Sequence, residues 1–501
     1  MTRILDIRAG VYHDSVSLMQ VSASVQKETG VRSALVAMAT GLNLDVLTGM
    51  GFAEPESAGP NDLLIAIDAD DDDAIGRARA AVDAALNARA QAPASGFGDA
   101  PAPRTVGSAA RRSPVTIAFI STPGQHAFTE AMDAVDHDLP VIVFSDNVPL
   151  EREIQLKLAA GRRGTLVMGP DCGTAVLGGV GFGFANVVRP GPVGIVAASG
   201  TGAQHLMSLL DGAGVGISHC LGVGGRDMAD DVGGISTLTS MDLLAADHAT
   251  EQIVVVGKPP APRVAEEIRA HASRLGKPVR FALLGEAQPD LTAAARLVVE
   301  ALGGTWAEPR SWAPPTGPAT MPAGGHLRGL FSGGTLCDEA MIIAAEALGP
   351  VRSNIPLRPE WALPTDLRTD GHAMIDFGDD ALTQGRAHPM IDGSLRAERI
   401  LAEAADASCG VLMLDVVLGH GAHPDPAAEL APAIEQARHR ARAEKRELAV
   451  LVSLVGTAAD PQGLDQQAER LAEAGAAVHL SNAAAARHAV SLLKEGHDTA
   501  Q

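Results

Sequence analysis

Two short turns, Ser199-Gly200-Thr201-Gly202 and Ser332-Gly333-Gly334-Thr335, each stand between an apolar strand-like run and a helical one. A strand that hands the chain to a helix through a tight turn is half of a βαβ unit, and a chain that repeats the alternation builds parallel sheets covered by helices. Glycine at such a turn lets the backbone approach a ligand closely, while the first N–H groups of the next helix lack partners within it. That end of a helix favours an anion, and Ser and Thr hydroxyls add donors without adding charge. Taken singly, each turn also reads as an ordinary helix N-cap. Two in one chain predict that, if the helices face one another, both dipoles act on a single phosphate group.

The rest of the chain follows the same alternation and divides into several units. Its 501 residues exceed what one core usually serves. Hydrophobic residues make up 46% but aromatics only 3%, so the cores must be Ala, Val, Leu and Ile, which suits parallel sheets under Ala-rich helices. Residues 1–90 read as a small N-terminal α/β domain with strands over 4–11, 33–38 and 63–67. The acidic run Asp68–Asp73 complements the positive start of the helix after it, which we favour over a metal site. Residues 91–113, rich in Ala, Pro, Gly and Ser, read as a flexible linker. A Rossmann-like domain spans 114–190, although no Gly-x-Gly-x-x-Gly follows its first strand, which argues against NAD. Flavodoxin-type domains follow at 191–308 and 327–501, joined by a Pro/Gly linker at 309–326. The fold class is multidomain α/β.

Charge and cysteine usage exclude several partners. The net charge of −21, from 39 basic and 60 acidic residues, opposes a nucleic-acid backbone, and no clustered Lys/Arg stripe overrides it. No membrane partner is expected either, because no apolar run approaches the ~18 residues of a span and no signal-peptide core opens the chain. The expected compartment is the cytoplasm. Cys172, Cys220, Cys337 and Cys409 lie far apart without a Cys-x-x-Cys pair, so neither a disulfide framework nor a zinc site is expected.

Further polar residues are candidates for the same chemistry. Asp171, in Gly169-Pro170-Asp171-Cys172, and Gly224 and Gly225, in Gly222-Val223-Gly224-Gly225, follow strand-like runs and are assigned to phosphate or substrate binding. Asp379, Asp380, His388 and His423 are assigned to catalysis; with Asp392, His420 and Asp425 they lie in Gly- and Pro-rich loops, where α/β folds place their sites. The same residues also read as turns: Gly378-Asp379-Asp380 as a helix cap, His388-Pro389 as a rigid corner, and His423-Pro424-Asp425-Pro426 as a helix start.

The order of these motifs carries a resemblance. Val167–Gly173, Pro192–Thr201 and Gly222–Gly225 resemble the α-subunit pattern of succinyl-CoA synthetase, and Gly329–Asp338 is similar to the β-subunit turn that opens the opposing helix. The resemblance implies a CoA-binding-type domain at 114–190, an α-like domain at 191–308 and a β-like domain at 327–501, fused in one chain. With Gly378-Asp379-Asp380, Gly385–Asp392 and Asp415–Pro426, nearly the whole chain resembles the FdrA family.

That family implies either an acyl-CoA synthetase or a subunit of oxamate carbamoyltransferase in allantoin breakdown, which converts oxalurate and phosphate to oxamate and carbamoyl phosphate. One departure bears on the choice. The synthetase carries a catalytic histidine in a Gly-His-Ala-Gly loop, whereas the corresponding stretch here is Leu284-Gly285-Glu286-Ala287-Gln288. Without that nucleophile a phosphohistidine relay has no usual site, whereas phosphate acting as nucleophile needs only an anion cradle and stabilisation of a carbonyl oxygen. The expectation is therefore a carbamoyltransferase subunit that requires no cofactor, uses phosphate or carbamoyl phosphate and a ureide as substrates, and works with other subunits of a hetero-oligomer. The alternatives are a succinyl-CoA synthetase-like ligase needing a separate nucleotide-binding chain, since no ATP-grasp domain is visible, and a non-catalytic scaffold or metabolite sensor. CoA is the weaker ligand expectation, because the loop Ser121-Thr122-Pro123-Gly124 is poorer in glycine than the synthetase's.

Overall fold

The structure, a computed structural model, describes residues 2–90 apart from 12, 14, 54 and 56, and then 102–315, 325–383 and 386–498. The N-terminal unit runs β1 (Thr2–Arg8), α1 (Ser15–Gln26), β2 (Val31–Met38), α2 (Gly41–Gly49), β3 (Leu63–Ala69) and α3 (Asp72–Ala90). Its sheet has the order β1-β3-β2 with both pairings antiparallel. Alternation along the central strand explains why both faces are covered. Leu63, Ile65 and Ile67 pack with Leu18 and Val82 of the helices, while Leu64 and Ala66 face Leu47 and Phe52. The acidic run is divided between two structural duties. Asp68 is paired with Arg32 and Arg3, which hold its carboxyl below the usual range, and Asp71 caps α3 by accepting from the Ala74 N–H at 2.8 Å.

The predicted linker at 91–113 lies in part outside the described residues, and its later part is not a linker. A short helix, α4 (Val106–Ala110), is opened by a Thr105–Ser108 capping box, and Gly107 is buried where a Cβ would strike His137. Next come β4 (Ala118–Ile120), α5 (Gly124–Asp136), β5 (Val141–Val143), α6 (Leu150–Arg163) and β6 (Val167–Met168), a three-stranded parallel sheet. The hairpin β7 (Thr174–Leu177) and β8 (Val180–Gly183), turned on Gly178-Gly179, joins not this sheet but the next one.

The second sheet continues with β9 (Pro190–Ala197), α7 (Gly200–Gly212), β10 (Ile217–Gly222), α8 (Ile235–Ala246), β11 (Gln252–Gly257), α9 (Pro262–Ala272), β12 (Val279–Leu283) and α10 (Leu291–Ala301). Its order is β12-β11-β9-β10-β7-β8, parallel from β12 to β10. The third sheet holds β13 (Ser311–Trp312), β14 (His326–Phe331), β15 (Ala373–Asp376), β16 (Cys409–Val417), β17 (Ala449–Val455) and β18 (Ala476–His479). Its helices are α11 (Gly334–Leu348), α12 (Asp380–Thr383), α13 (Ser394–Ala405), α14 (Pro426–Ala443), α15 (Leu464–Glu473) and α16 (Asn482–Asp498). The order is β13-β18-β17-β16-β14-β15, with β13 alone antiparallel, so part of the predicted linker at 309–326 is a sheet edge. The chain is thus a multidomain α/β protein, and no helix among the described residues is long and apolar enough to cross a membrane.

The second and third sheets are locked together. Asn186 Nδ2 donates to the Leu418 carbonyl at 3.0 Å and to Asp460 Oδ2 at 2.8 Å, and the Val187 N–H donates to Asp460 Oδ1 at 2.7 Å. Ile342 of α11 packs onto the core formed by β9, α7 and α10. This docking brings the starts of α7 and α11 together.

Candidate functional site

Each turn follows a buried strand, β9 or β14, so its position is set by the sheet beneath it. In the first turn Ser199 is extended, and its Oγ accepts from the Gly202 N–H at 2.9 Å, the usual N-cap bond. The second turn is built differently. Gly333 occupies the cap position with no side-chain cap, and Ser332 points inward, donating from N–H and Oγ to Asp415 Oδ1 at 2.7 and 2.9 Å. Asp415 is fully buried and also accepts from Arg396 at 2.8 Å. Burial pushes the Asp415 carboxyl up, against the pull of Arg396 and Ser332.

The two turns touch. Ser199 Oγ and Thr335 Oγ1 are 2.6 Å apart and share a hydrogen bond. A Cβ on Gly333 would lie 2.6 Å from Thr201 Oγ1, and one on Gly202 would lie 3.0 Å from Thr335 Cγ2. Glycine at 202 and 333 is therefore what allows the helix ends to abut. The contact thus joins Ser199, Thr201 and Gly202 to Gly333 and Thr335, while Gly200 faces Thr174, Gly334 faces Asp376 and Lys258, and the Ser332 hydroxyl is turned away into the protein.

Charge around this meeting point comes from residues that were not singled out in the sequence. Lys258, just beyond β11, forms an ion pair with Asp338 of α11 at 2.9 Å. Partial burial opposes its charge, but the Asp338 and Asp376 carboxylates outweigh this and raise the Lys258 ammonium. Asp338 itself is pushed up by burial despite the bridge, so the pair is held against a desolvation cost. Asp376, the last residue of β15, is 6% exposed, and burial raises its carboxyl to about 7. The one local signal for Lys258 was its place directly after an apolar strand, in Gly257-Lys258-Pro259-Pro260.

The other assigned residues line the rim or serve the scaffold. Asp171 has positive φ and is exposed to solvent. Crowding by protein, then the neighbouring Asp380 and Asp146 carboxylates, raise it to about 7. Asp380 begins α12 and is raised by partial burial and by Asp146 and Asp379. Asp379 Oδ1 accepts from the Ala381 N–H at 3.0 Å, a turn bond. His388 is brought beside the second turn: a Cβ on Gly378 would meet the Ser332 carbonyl at 2.6 Å and His388 Nε2 at 2.9 Å. Its Nδ1 accepts from the Met390 N–H at 3.2 Å, and burial lowers the imidazole to about 4.

His423 is not brought to the turns by any contact among the described residues. Its Nδ1 accepts from the Asp425 N–H at 3.0 Å, its Nε2 lies 3.0 Å from Lys27 Nζ, and Asp425 caps α14. Gly224 is a packing glycine, since its φ is +89° and a Cβ would lie 2.4 Å from the Pro170 carbonyl; Gly225 faces open space. That loop is anchored from below by Lys157, which is buried and donates to Asp227 at 2.7 Å and to the Val223 carbonyl at 3.0 Å. Cys172 is buried and its thiol is pushed up to about 12, unsuited to nucleophilic work. The loop at Gly285 packs against Pro259, the residue after Lys258: a Cβ on Gly285 would lie 3.9 Å from Pro259 Cγ.

Comparison with known proteins extends this picture. Residues 1–103 match the family described as AllF, heavy metal-associated domain, and residues 330–492 match the family described as CoA-ligase. Residues 1–103 contain no cysteine, and no group of three or more His, Cys, Asp or Glu among the described residues is arranged to hold a metal ion, so no metal step is derived. The chain is 40% identical to the uncharacterized protein YahF of Escherichia coli strain K12, over 94% of each chain. It is 26% identical to the succinate–CoA ligase (ADP-forming) α subunit of Methanothermobacter thermautotrophicus, over 35% of this chain and 59% of that one. A malate–CoA ligase α subunit of Methylorubrum extorquens is 28% identical over 33% of this chain and 56% of its own length. The matches to both ligase subunits thus span little more than half of each.

Proposed function

Since the chain belongs to the family of Escherichia coli YahF and is CoA-ligase-like over residues 330–492, we propose that it is a ligase-type subunit that binds inorganic phosphate between its two turns. The reaction proposed is acyl transfer between a CoA thioester and phosphate. A phosphate oxygen attacks the acyl carbonyl, the carbon–sulfur bond breaks, and acyl phosphate and CoA are the products. A separate nucleotide-binding chain would then couple the acyl phosphate to nucleoside triphosphate. The observation that carries the reading is the 2.6 Å contact between Ser199 and Thr335, which brings two helix N-termini to one point. Converging helix ends with a nearby ammonium stabilise a bound dianion and the oxyanion that develops during transfer.

The histidine-free loop at 285–288 favours a second reading, carbamoyl transfer from a ureide to phosphate, as in oxamate carbamoyltransferase. Both readings share the phosphate and differ in the carbonyl compound, and in both phosphate reacts without a covalent protein intermediate. Incubating the full chain with phosphate and a panel of acyl-CoA thioesters in the presence of hydroxylamine tests the first. Phosphate-dependent hydroxamate formation that is lost in Gly333→Val is expected. Turnover of carbamoyl phosphate with oxamate, and none with any thioester, would replace the first reading with the second. Activity undiminished in Ser199→Ala and Thr335→Ala would point instead to a scaffold whose turns take no part.

A further inference from the structure

The space beside the first turn of α11 is occupied by a carboxylate with little to hold it there. Asp376 Oδ1 accepts from the Gly378 N–H at 2.9 Å, but Oδ2 has no hydrogen-bond donor among the described residues. That oxygen would lie 2.7 Å from a Cβ on Gly334, and Lys258 Nζ would lie 3.6 Å from the same point. An almost buried carboxylate, unpartnered on one oxygen, thus faces the opening residue of the helix whose cap position carries no side-chain oxygen. A phosphate drawn to this helix end would meet that charge first. Resting on the phosphate reading above, we propose that Lys258 and Asp376 complete the site as a coupled pair, with Lys258 pairing with the phosphate while Asp376 takes up a proton.

The charged neighbours of Asp376 all bear on this coupling. Lys258, beyond β11, favours the carboxylate; Asp415 on β16 and Asp379 after β15 disfavour it. Asp338 on α11 competes for Lys258, and Asn354 engages only the Asp376 backbone, at 2.9 Å through each partner. His388, across Gly378, is lowered to about 4 and brings no compensating charge at neutral pH. The sole cation among these neighbours is therefore Lys258. Once it turns toward an arriving dianion, the Gly378 N–H alone remains to support an ionised Asp376, whose buried carboxyl already stands at about 7 with both in place. Protonated, Asp376 becomes a hydrogen-bond donor toward the phosphate rather than a repelling charge.

Titration calorimetry of the full chain at about pH 8, in buffers of different ionisation enthalpy, reads the proton uptake directly. Phosphate is the first probe, and sulfate, which takes up no proton in this range, is the second. Wild-type protein is expected to take up close to one proton with either anion. Asp376→Asn should abolish the uptake while keeping or raising affinity, because the competing charge is gone. Lys258→Gln should lower affinity at least tenfold and also reduce uptake, because loss of the ammonium leaves Asp376 protonated beforehand. Affinity kept or raised in the first variant and lowered in the second, with uptake diminished in both, is the signature. Anion binding with equal uptake in wild type and both folded variants would overturn the pairing and leave the phosphate reading standing. No binding of either anion to the wild type would overturn both.

Discussion

The two turns look interchangeable as sequences, and the structure shows that they are not. The first is capped in the ordinary way, with the Ser199 hydroxyl serving its own helix and the facing Thr335. The second gives up its hydroxyl to the interior, where Ser332 binds Asp415, and leaves its helix start without a side-chain cap. One turn is self-sufficient, whereas the other is held from beneath by a buried carboxylate and faced by a second, Asp376. On the proposed phosphate reading, the anion site is divided between a helix end that supplies shape and one that supplies unmet donors.

The strongest way to break this contrast is to remove the support under the second turn. Asp415→Ala leaves Arg396 buried without its partner and frees the Ser332 N–H and hydroxyl, so a stability loss of about 3–5 kcal/mol is expected from chemical denaturation. A loss no larger than that of an exposed ion pair would mean that the second turn stands unaided, as the first does.

Much of this contrast lay beyond the sequence for physical reasons. The strands and helices around both turns were legible because apolar runs and glycines are local signals, and the α/β class followed from their alternation. The direction of the Ser332 hydroxyl depends on a residue 83 positions away, and the clamp between Asn186 and Asp460 spans 274. Lys258 stood unremarked because a lone lysine after a strand carries no pattern. The hairpin at 174–183 was missed because its strands are only four residues each and its two-glycine turn resembles a loop. For His423-Pro424-Asp425-Pro426 the sequence offers both a chemical reading and a helix start, and the structure has Asp425 capping α14.

A second pair of residues carries the comparison into the helices themselves. His205 on α7 and Glu339 on α11 are both fully buried and both bind Asn482, through His205 Nε2 at 3.3 Å and Glu339 Oε2 at 2.7 Å. Burial shifts them in opposite directions, His205 down to about 4 and Glu339 up to about 7. The imidazole gains its proton near pH 6.5 when unfolded but only near 4 when folded, so its contribution to stability grows as pH rises across that window. The carboxyl loses its proton near 4.5 when unfolded but near 7 when folded, so its contribution shrinks as pH rises. Each slope is at most about 1.4 kcal/mol per pH unit. In denaturation series from pH 4 to 7, His205→Gln should lose ground to wild type as pH rises, and Glu339→Gln should gain. Curves that run parallel to wild type for both would remove the opposition between the helices.

The smallest expected effects give the sharpest reading, because they compare the same substitution in the two turns. Ser332→Ala deletes a hydrogen bond to a buried carboxylate and is expected to cost about 1.5–3 kcal/mol of stability. Ser199→Ala deletes a helix cap and is expected to cost about 1 kcal/mol. Phosphate affinity should rank them the other way round. The Ser199 hydroxyl lies at the contact between the helix ends, whereas the Ser332 hydroxyl points away from it, so Ser199→Ala should weaken phosphate binding more. Stability and affinity measured on the two variants must therefore cross. If Ser332→Ala is worse in both, the reading of Ser332 as a hydroxyl that serves the fold alone is wrong.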